Sequence, residues 1–198
     1  DQSTIGDEFC ATFGYPLYLR QFLKNKHNIT ISDNNMYGVE FAERLSRMAF
    51  LNAMFSMDSY ENIKRGDSFI TNVNPHIDFS VHNVPFGDSM KFENIKKTYD
   101  TFREDNHDIP ELKDIIRSEA NVDAILASQM ALYKTKKMGL LIIKDGKETS
   151  SLIFKDYRKF FCEKCHIKKI LKIPSGAFSS TGTKTVCLYF VKKEGLKT

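Results

Sequence analysis

Asp78-Phe79-Ser80-Val81-His82-Asn83-Val84-Pro85-Phe86-Gly87 is the stretch on which the reading of this chain turns. Phe79-Ser80-Val81 reads as a short buried strand that stops at Asn83-Val84-Pro85-Phe86, where Pro85 cannot donate to a sheet ladder and fixes the bend. The side-chain oxygen of Asn83 and a neighbouring main-chain carbonyl can both accept hydrogen bonds from an exocyclic amino group. The face of Phe86 can stack on the ring that carries that amine. The same residues also suit a plain strand-to-loop turn, with Pro85 setting the bend and Phe86 packed in the core.

Outward from this stretch, apolar spacing predicts alternating helices and strands. Leu17, Leu19, Phe22 and Leu23 predict a helix over 14–26, and Met36-Tyr37-Gly38-Val39-Glu40 predicts a short strand. Phe41, Leu45, Met48, Ala49, Asn52 and Phe55 recur at helical spacing over 41–57. Ser68-Phe69-Ile70 reads as another short strand or loop segment. Residues 87–119 are polar, with little sustained apolar period, and read as an insertion carrying one or two short helices. A helix is expected over 122–134, then a strand over 138–143 whose unbroken apolar run suits burial on both faces. A helix over 151–162 and strands over 167–173 and 186–191 complete the series. This alternation predicts one α/β domain over residues 1–198, with helices on both faces of its sheet.

The 198 residues are enough for one domain with a sizeable core. With 41% hydrophobic and 27% charged residues the composition is that of a globular chain, and no apolar run reaches membrane-spanning length. Four scattered cysteines make a poor disulfide framework, so a reducing, intracellular compartment is expected. The net charge of +4 permits nucleic-acid binding without arguing for it. Lys134, Lys136, Lys137, Lys164, Lys168, Lys169 and Lys172 could track phosphates, although a charge run is most often a solvated face.

Asn83-Val84-Pro85-Phe86 resembles the Asn-Pro-Pro-Phe motif of adenine-specific DNA methyltransferases, such as the modification subunits of type I restriction systems. Tyr37-Gly38-Val39-Glu40 resembles that family's second-strand motif, and Gly66-Asp67-Ser68-Phe69 its third. Ile173-Pro174-Ser175-Gly176-Ala177-Phe178, with Thr181-Gly182-Thr183-Lys184-Thr185, resembles the run before its last strand. The resemblance implies a class I S-adenosylmethionine-dependent methyltransferase sheet, Rossmann-like, with one antiparallel strand. It implies S-adenosylmethionine as cofactor and double-stranded DNA with a flipped adenine as substrate. Asn83, Val84, Pro85 and Phe86 would handle the adenine. Glu40 would hold the cofactor ribose and Asp67 its adenine. A separate specificity subunit or domain is implied as a partner.

Two departures accompany the resemblance. The family's first motif reads roughly Asp-Pro-x-x-Gly-x-Gly-Gly-Phe, and the stretch paired with it here is Asp1 to Phe9. On that register Asp1 and Phe9 match, Gly6 is offset, and the three stand as cofactor-binding candidates. Asp7 and Glu8 then place bulk and negative charge where glycines would let the backbone approach the cofactor. The family's first strand would lie before Asp1 and be missing from this chain. Val84 replaces the motif's first proline, a milder change because the group needed there is a main-chain carbonyl.

Two further motifs are weak. Cys162-Glu163-Lys164-Cys165-His166 has haem-attachment and zinc-ligand spacing, but no second cysteine pair follows and no metal site is expected. Gly182-Thr183-Lys184-Thr185 lacks the adjacent Gly-Lys of a phosphate-binding loop, and a strand follows it where that loop requires a helix. Two alternatives to DNA methylation remain: a catalytically inactive relative acting as a DNA-binding or structural partner subunit, and methylation of RNA or protein.

Overall fold

The structure is a computed structural model that describes residues 2–68, 77–85, 92–104, 122–150, 155–178 and 182–193. Seven strands form one sheet in the order β3-β2-β1-β4-β5-β7-β6. They are β1 (Ile5–Asp7), β2 (Met36–Glu40), β3 (Ile63–Arg65), β4 (Ile77–Asn83), β5 (Thr135–Lys144), β6 (Cys165–Ile173) and β7 (Thr185–Lys192). Strands β1 to β5 pair in parallel. The predicted antiparallel member is β7, which runs against both β5 and β6.

The helices are α1 (Gly14–His27), α2 (Glu43–Ser56), α3 (Phe92–Glu104), α4 (Val122–Lys134), α5 (Lys147–Ser150) and α6 (Lys155–Lys164). Parallel strands need long crossovers, and α1 and α2 supply those between β1, β2 and β3. The chain ends α1 at Asn28 in the left-handed conformation, whose N–H donates to the carbonyls of Leu23 and Lys24. One core cluster joins Ile5, Phe13, Ile31, Met36, Ala49, Ala53 and Ile63 from the α1–α2 side. The other joins Tyr99, Ile125, Met130, Leu141, Tyr157, Phe161 and Phe190 from α3, α4, α6 and the strands beneath them.

One expectation needs correction, and with it the place of Gly6. The first strand is present: β1 lies inside the sheet, between β2 and β4. Its three residues, one of them glycine, are too short to show a strand period in sequence. Gly6 therefore lies inside β1, not in a cofactor loop. A Cβ there would meet Ile77 Cδ1 at 2.5 Å, so the missing side chain makes room for β4. The third strand is Ile63–Arg65, ahead of the Gly66-Asp67 bend, with Ser68 in a turn and residues 69–70 outside the described residues. Of the helix expected over 151–162, residues 155–162 lie in α6 and residues 151–154 are outside the described residues. Within the expected polar insertion, α3 is a regular helix whose Tyr99 is fully buried in the core.

Candidate active site

Strand order reverses direction between β1 and β4, and open α/β sheets bind ligands at the carboxyl ends of the strands flanking such a point. Four segments meet along that edge: the loop after β1, the end of β2, the bend after β3 and the end of β4.

The loop after β1 sets the register of the first motif. Because β1 ends at Asp7, the pattern Asp-Pro-x-x-Gly-x-Gly-Gly-Phe falls on Asp7 to Tyr15, six residues beyond the pairing with Asp1. Asp1 itself lies outside the described residues. In the corrected register Asp7 and Gly14 match, Glu8 replaces the proline, and Ala11 and Phe13 replace two glycines. Ala11 (φ 46°) and Phe13 (φ 63°) both adopt the left-handed conformation that glycine takes without penalty. The backbone path that the glycines would serve is thus kept at residues that pay about 1 kcal/mol each to follow it.

Packing holds this path in place. Phe13 is fully buried. Its ring takes the space over Gly38, where a Cβ would come within 2.8 Å of Phe13 Cδ2. Cys10 N–H donates to Val39 O at 2.9 Å, tying the loop to β2. Phe13 caps α1 with no side-chain hydrogen bond, so the helix N-terminus has no cap from that residue.

Glu40 ends β2. Its Oε2 accepts the N–H of Ala11 at 2.8 Å and its Oε1 the N–H of Ala42 at 2.7 Å. A carboxylate offers about four acceptor directions, so each oxygen keeps one for a hydroxyl. Asp67 follows in the bend after β3, where Gly66 N–H donates to Glu40 O at 3.1 Å.

At the end of β4, Asn83 pairs in register with Ile142 of β5, and Val84 N–H donates to Ile142 O at 3.2 Å. The side-chain oxygen Oδ1 of Asn83 is buried without a hydrogen-bond partner among the described residues. Such an orphan acceptor is costly unless something supplies a donor. Pro85 is described and exposed, whereas Phe86 lies outside the described residues.

Beneath this edge lies a buried polar group that composition and spacing did not flag. The main-chain N–H of Glu8 donates to His82 Nδ1 at 3.1 Å, and Phe9 N–H donates to Asp7 Oδ1 at 2.9 Å. The hydroxyl of Ser68 donates to the carbonyl of Glu8. Lys134 Nζ stands 4.0 Å from Glu8 Oε2, near enough for attraction and too far for a hydrogen bond. Burial pushes the Glu8 carboxyl up to about 7; Lys134 and His82 oppose that rise and Asp7 adds to it. The sequence signals for this group were Glu8 in the motif's proline position and a histidine directly before Asn83. Neither points to Lys134, which arrives from α4.

The Cys-x-x-Cys-His segment is divided between elements. Cys162 is exposed on α6, while Cys165 opens β6 as a buried thiol donating to Phe161 O at 3.2 Å. Burial pushes the Cys165 thiol up to about 12, far from the thiolate a metal would need.

This strand order and edge define the class I S-adenosylmethionine-dependent methyltransferase fold. A Listeria monocytogenes protein assigned to that class superposes with a TM-score of 0.69 at 20% identity, over 100% of this chain and 55% of its own. The type I restriction-modification methyltransferase subunit of Streptococcus thermophilus gives 0.74 at 14% identity, over 98% of this chain and 40% of its own. Magnesium protoporphyrin IX methyltransferase of Synechocystis PCC 6803, solved with bound S-adenosylmethionine, gives 0.54 at 11% identity, over 97% and 71%. The chain thus spans about half or less of the first two relatives. No curated protein sequence matched it. The N-6 DNA methylase family model matches residues 1–197, and the chain belongs to that family.

Proposed function

We propose that the chain carries the catalytic edge of an enzyme that transfers a methyl group from S-adenosylmethionine to the exocyclic amine of a flipped adenine in DNA. Membership of the N-6 DNA methylase family supports methyl transfer. The observation that carries the finer reading is Asn83 Oδ1, a buried acceptor without a partner among the described residues, at the end of the strand beside the first-motif loop.

The residues present fit the cofactor. Glu40 keeps acceptor capacity for two ribose hydroxyls. The N-terminus of α1, which the Phe13 side chain does not cap, suits a carboxylate. Ala11 and Phe13 preserve the tight loop, and the Phe13 ring is turned into the core, away from the edge. Bound S-adenosylmethionine would supply an electrophilic sulfonium methyl. Asn83 Oδ1 and the main-chain carbonyl of Val84 accept the two amine hydrogens, which draws the nitrogen toward a tetrahedral, nucleophilic geometry. Phe86 stacks on the flipped base, and Asp67 takes the cofactor adenine. No strong base is needed; the protein's work is positioning and electrostatics. A flipped base is costly in a duplex, and stacking on Phe86 offsets part of that cost.

One observation favours a second reading, in which the fold serves as an inactive DNA-binding or partner subunit. Glu8, Ala11, Phe13 and Tyr15 depart from the first motif at four positions. The test is transfer of labelled methyl from S-adenosylmethionine to a panel of duplex DNA, RNA and protein, alongside calorimetric titration of the cofactor. Label on adenine N6 of DNA supports the first reading. A folded protein that binds DNA but takes up no S-adenosylmethionine supports the second. A specificity subunit supplied in the assay distinguishes a missing partner from a missing activity.

A further inference from the structure

We infer that His82 is a positioning residue for the reaction proposed at Asn83, acting by locking the loop after β1 to the end of β4; the inference rests on that proposed reading. The argument starts from Glu8. The first-motif pattern has proline there, which carries no N–H. Glu8 brings an N–H into a position where the residue is 1% exposed, and a buried donor must find an acceptor. His82 Nδ1 accepts it at 3.1 Å. Accepting this bond requires Nδ1 to carry no proton.

The contacts around this bond hold it in one geometry. The Phe9 ring meets the imidazole edge-on, with centroids 6.3 Å apart and planes at 76°. Asp7 Oδ1 lies 3.6 Å from Nδ1 and is turned toward the N–H of Phe9. The Glu8 carbonyl accepts from Ser68, and its carboxylate faces Lys134. Residue 8 is therefore joined to the bend after β3 and to α4, and through His82 to β4. His82 is fully buried, and the next residue in the chain is Asn83. Successive strand side chains leave the backbone on opposite faces. Anchoring His82 beneath the loop thus fixes the rotation of the peptide that presents Asn83. It also sets the spacing between the cofactor loop and the amine acceptor. A misplacement of about 1 Å at a reacting centre costs on the order of 100-fold in rate.

Two variants separate this role from plain packing. His82→Phe keeps a ring against Phe9 and removes the acceptor, whereas His82→Asn returns an oxygen able to accept near the Nδ1 position. In methyl-transfer assays kcat is expected to fall on the order of 100-fold in His82→Phe, while KM for S-adenosylmethionine moves no more than about threefold because Glu40 is untouched. His82→Asn should regain about tenfold of that loss. Amide hydrogen exchange at Glu8 and Phe9 should speed by about tenfold or more in His82→Phe and slow again in His82→Asn. Equal losses of kcat in both variants, or a rise in KM matching the fall in kcat, would overturn the inference. Should the wild type transfer no methyl at all, the reading of the site fails, and exchange alone then decides. Unchanged exchange at Glu8 in a folded His82→Phe overturns the locking role whatever the activity. If His82→Phe does not fold, the ¹⁵N resonances of wild-type His82 decide: an unprotonated Nδ1 supports the lock and a protonated one overturns it.

Discussion

The carboxylate of Glu40 accepts the main-chain N–H of Ala11 at 2.8 Å, so the acid at the end of β2 braces the loop that follows β1. Its second oxygen holds Ala42 at the start of α2. One side chain thus organises both loops that flank the cofactor edge before any ligand arrives.

Replacing that carboxylate with an amide tests the brace and the proposed ribose contact together. Glu40→Gln offers a single acceptor oxygen to two N–H groups, leaving one of them poorly satisfied. Stability should fall by about 1–2 kcal/mol. Affinity for S-adenosylmethionine should fall by about tenfold or more, because hydrogen bonds to a charged acceptor are the stronger ones. Chemical denaturation and calorimetry measure the two effects separately. Unchanged cofactor affinity would remove Glu40 from the ribose site.

The left-handed residues give a prediction of opposite sign. Ala11 has φ 46°, a conformation that an L side chain disfavours and glycine does not. Ala11→Gly should therefore stabilise the protein by about 1 kcal/mol, or raise Tm by about 2–4 °C in a chain of this size. Thermal unfolding checks it, and a lowered Tm would show that Ala11 contributes more through packing than it costs in strain.

Glu8 predicts a pH dependence. Its carboxyl is raised from 4.5 to about 7 in the folded protein, chiefly by burial. Over that interval the folded state binds more protons than the unfolded state, so stability falls as pH rises. The favourable contribution is complete below pH 4.5 and is lost as pH passes through about 7. A shift of this size corresponds to about 3 kcal/mol. Glu8→Gln should flatten this part of the profile and leave the variant more stable than wild type above pH 7. Denaturation curves across the range measure it, and parallel wild-type and variant profiles would contradict the assignment.

How far the sequence was legible varies by element, for physical reasons. Helix α4 was expected over the residues it occupies, because Ile125, Leu126 and Met130 keep helical spacing. Strand β2 was likewise expected at Met36–Glu40, and the antiparallel strand near the end is β7. Strand β1 was missed, since Ile5-Gly6-Asp7 carries too few apolar residues to show a period. Missing it shifted the first motif by six residues and gave Gly6 a loop role, whereas it lies inside β1. The left-handed turns at Ala11 and Phe13 left no trace, because glycine and asparagine are the residues that advertise such turns. The group of Glu8, His82 and Lys134 joins positions separated by 52 to 126 residues through burial and side-chain length, which no local pattern records. The end of β4 was legible because an amide and then a proline close a strand in which Ile77, Phe79 and Val81 alternate with polar residues.

The central claim is that Asn83 draws an adenine amine onto the methyl group of S-adenosylmethionine. The direct measurement is N6-methyladenine formed in duplex DNA, quantified by mass spectrometry for the wild type and Asn83→Ala, with cofactor binding followed in both. The account predicts product from the wild type, and a loss on the order of 100- to 1000-fold in Asn83→Ala with cofactor affinity unchanged. Equal product from both proteins, or none from a wild type that binds cofactor and DNA, would contradict it.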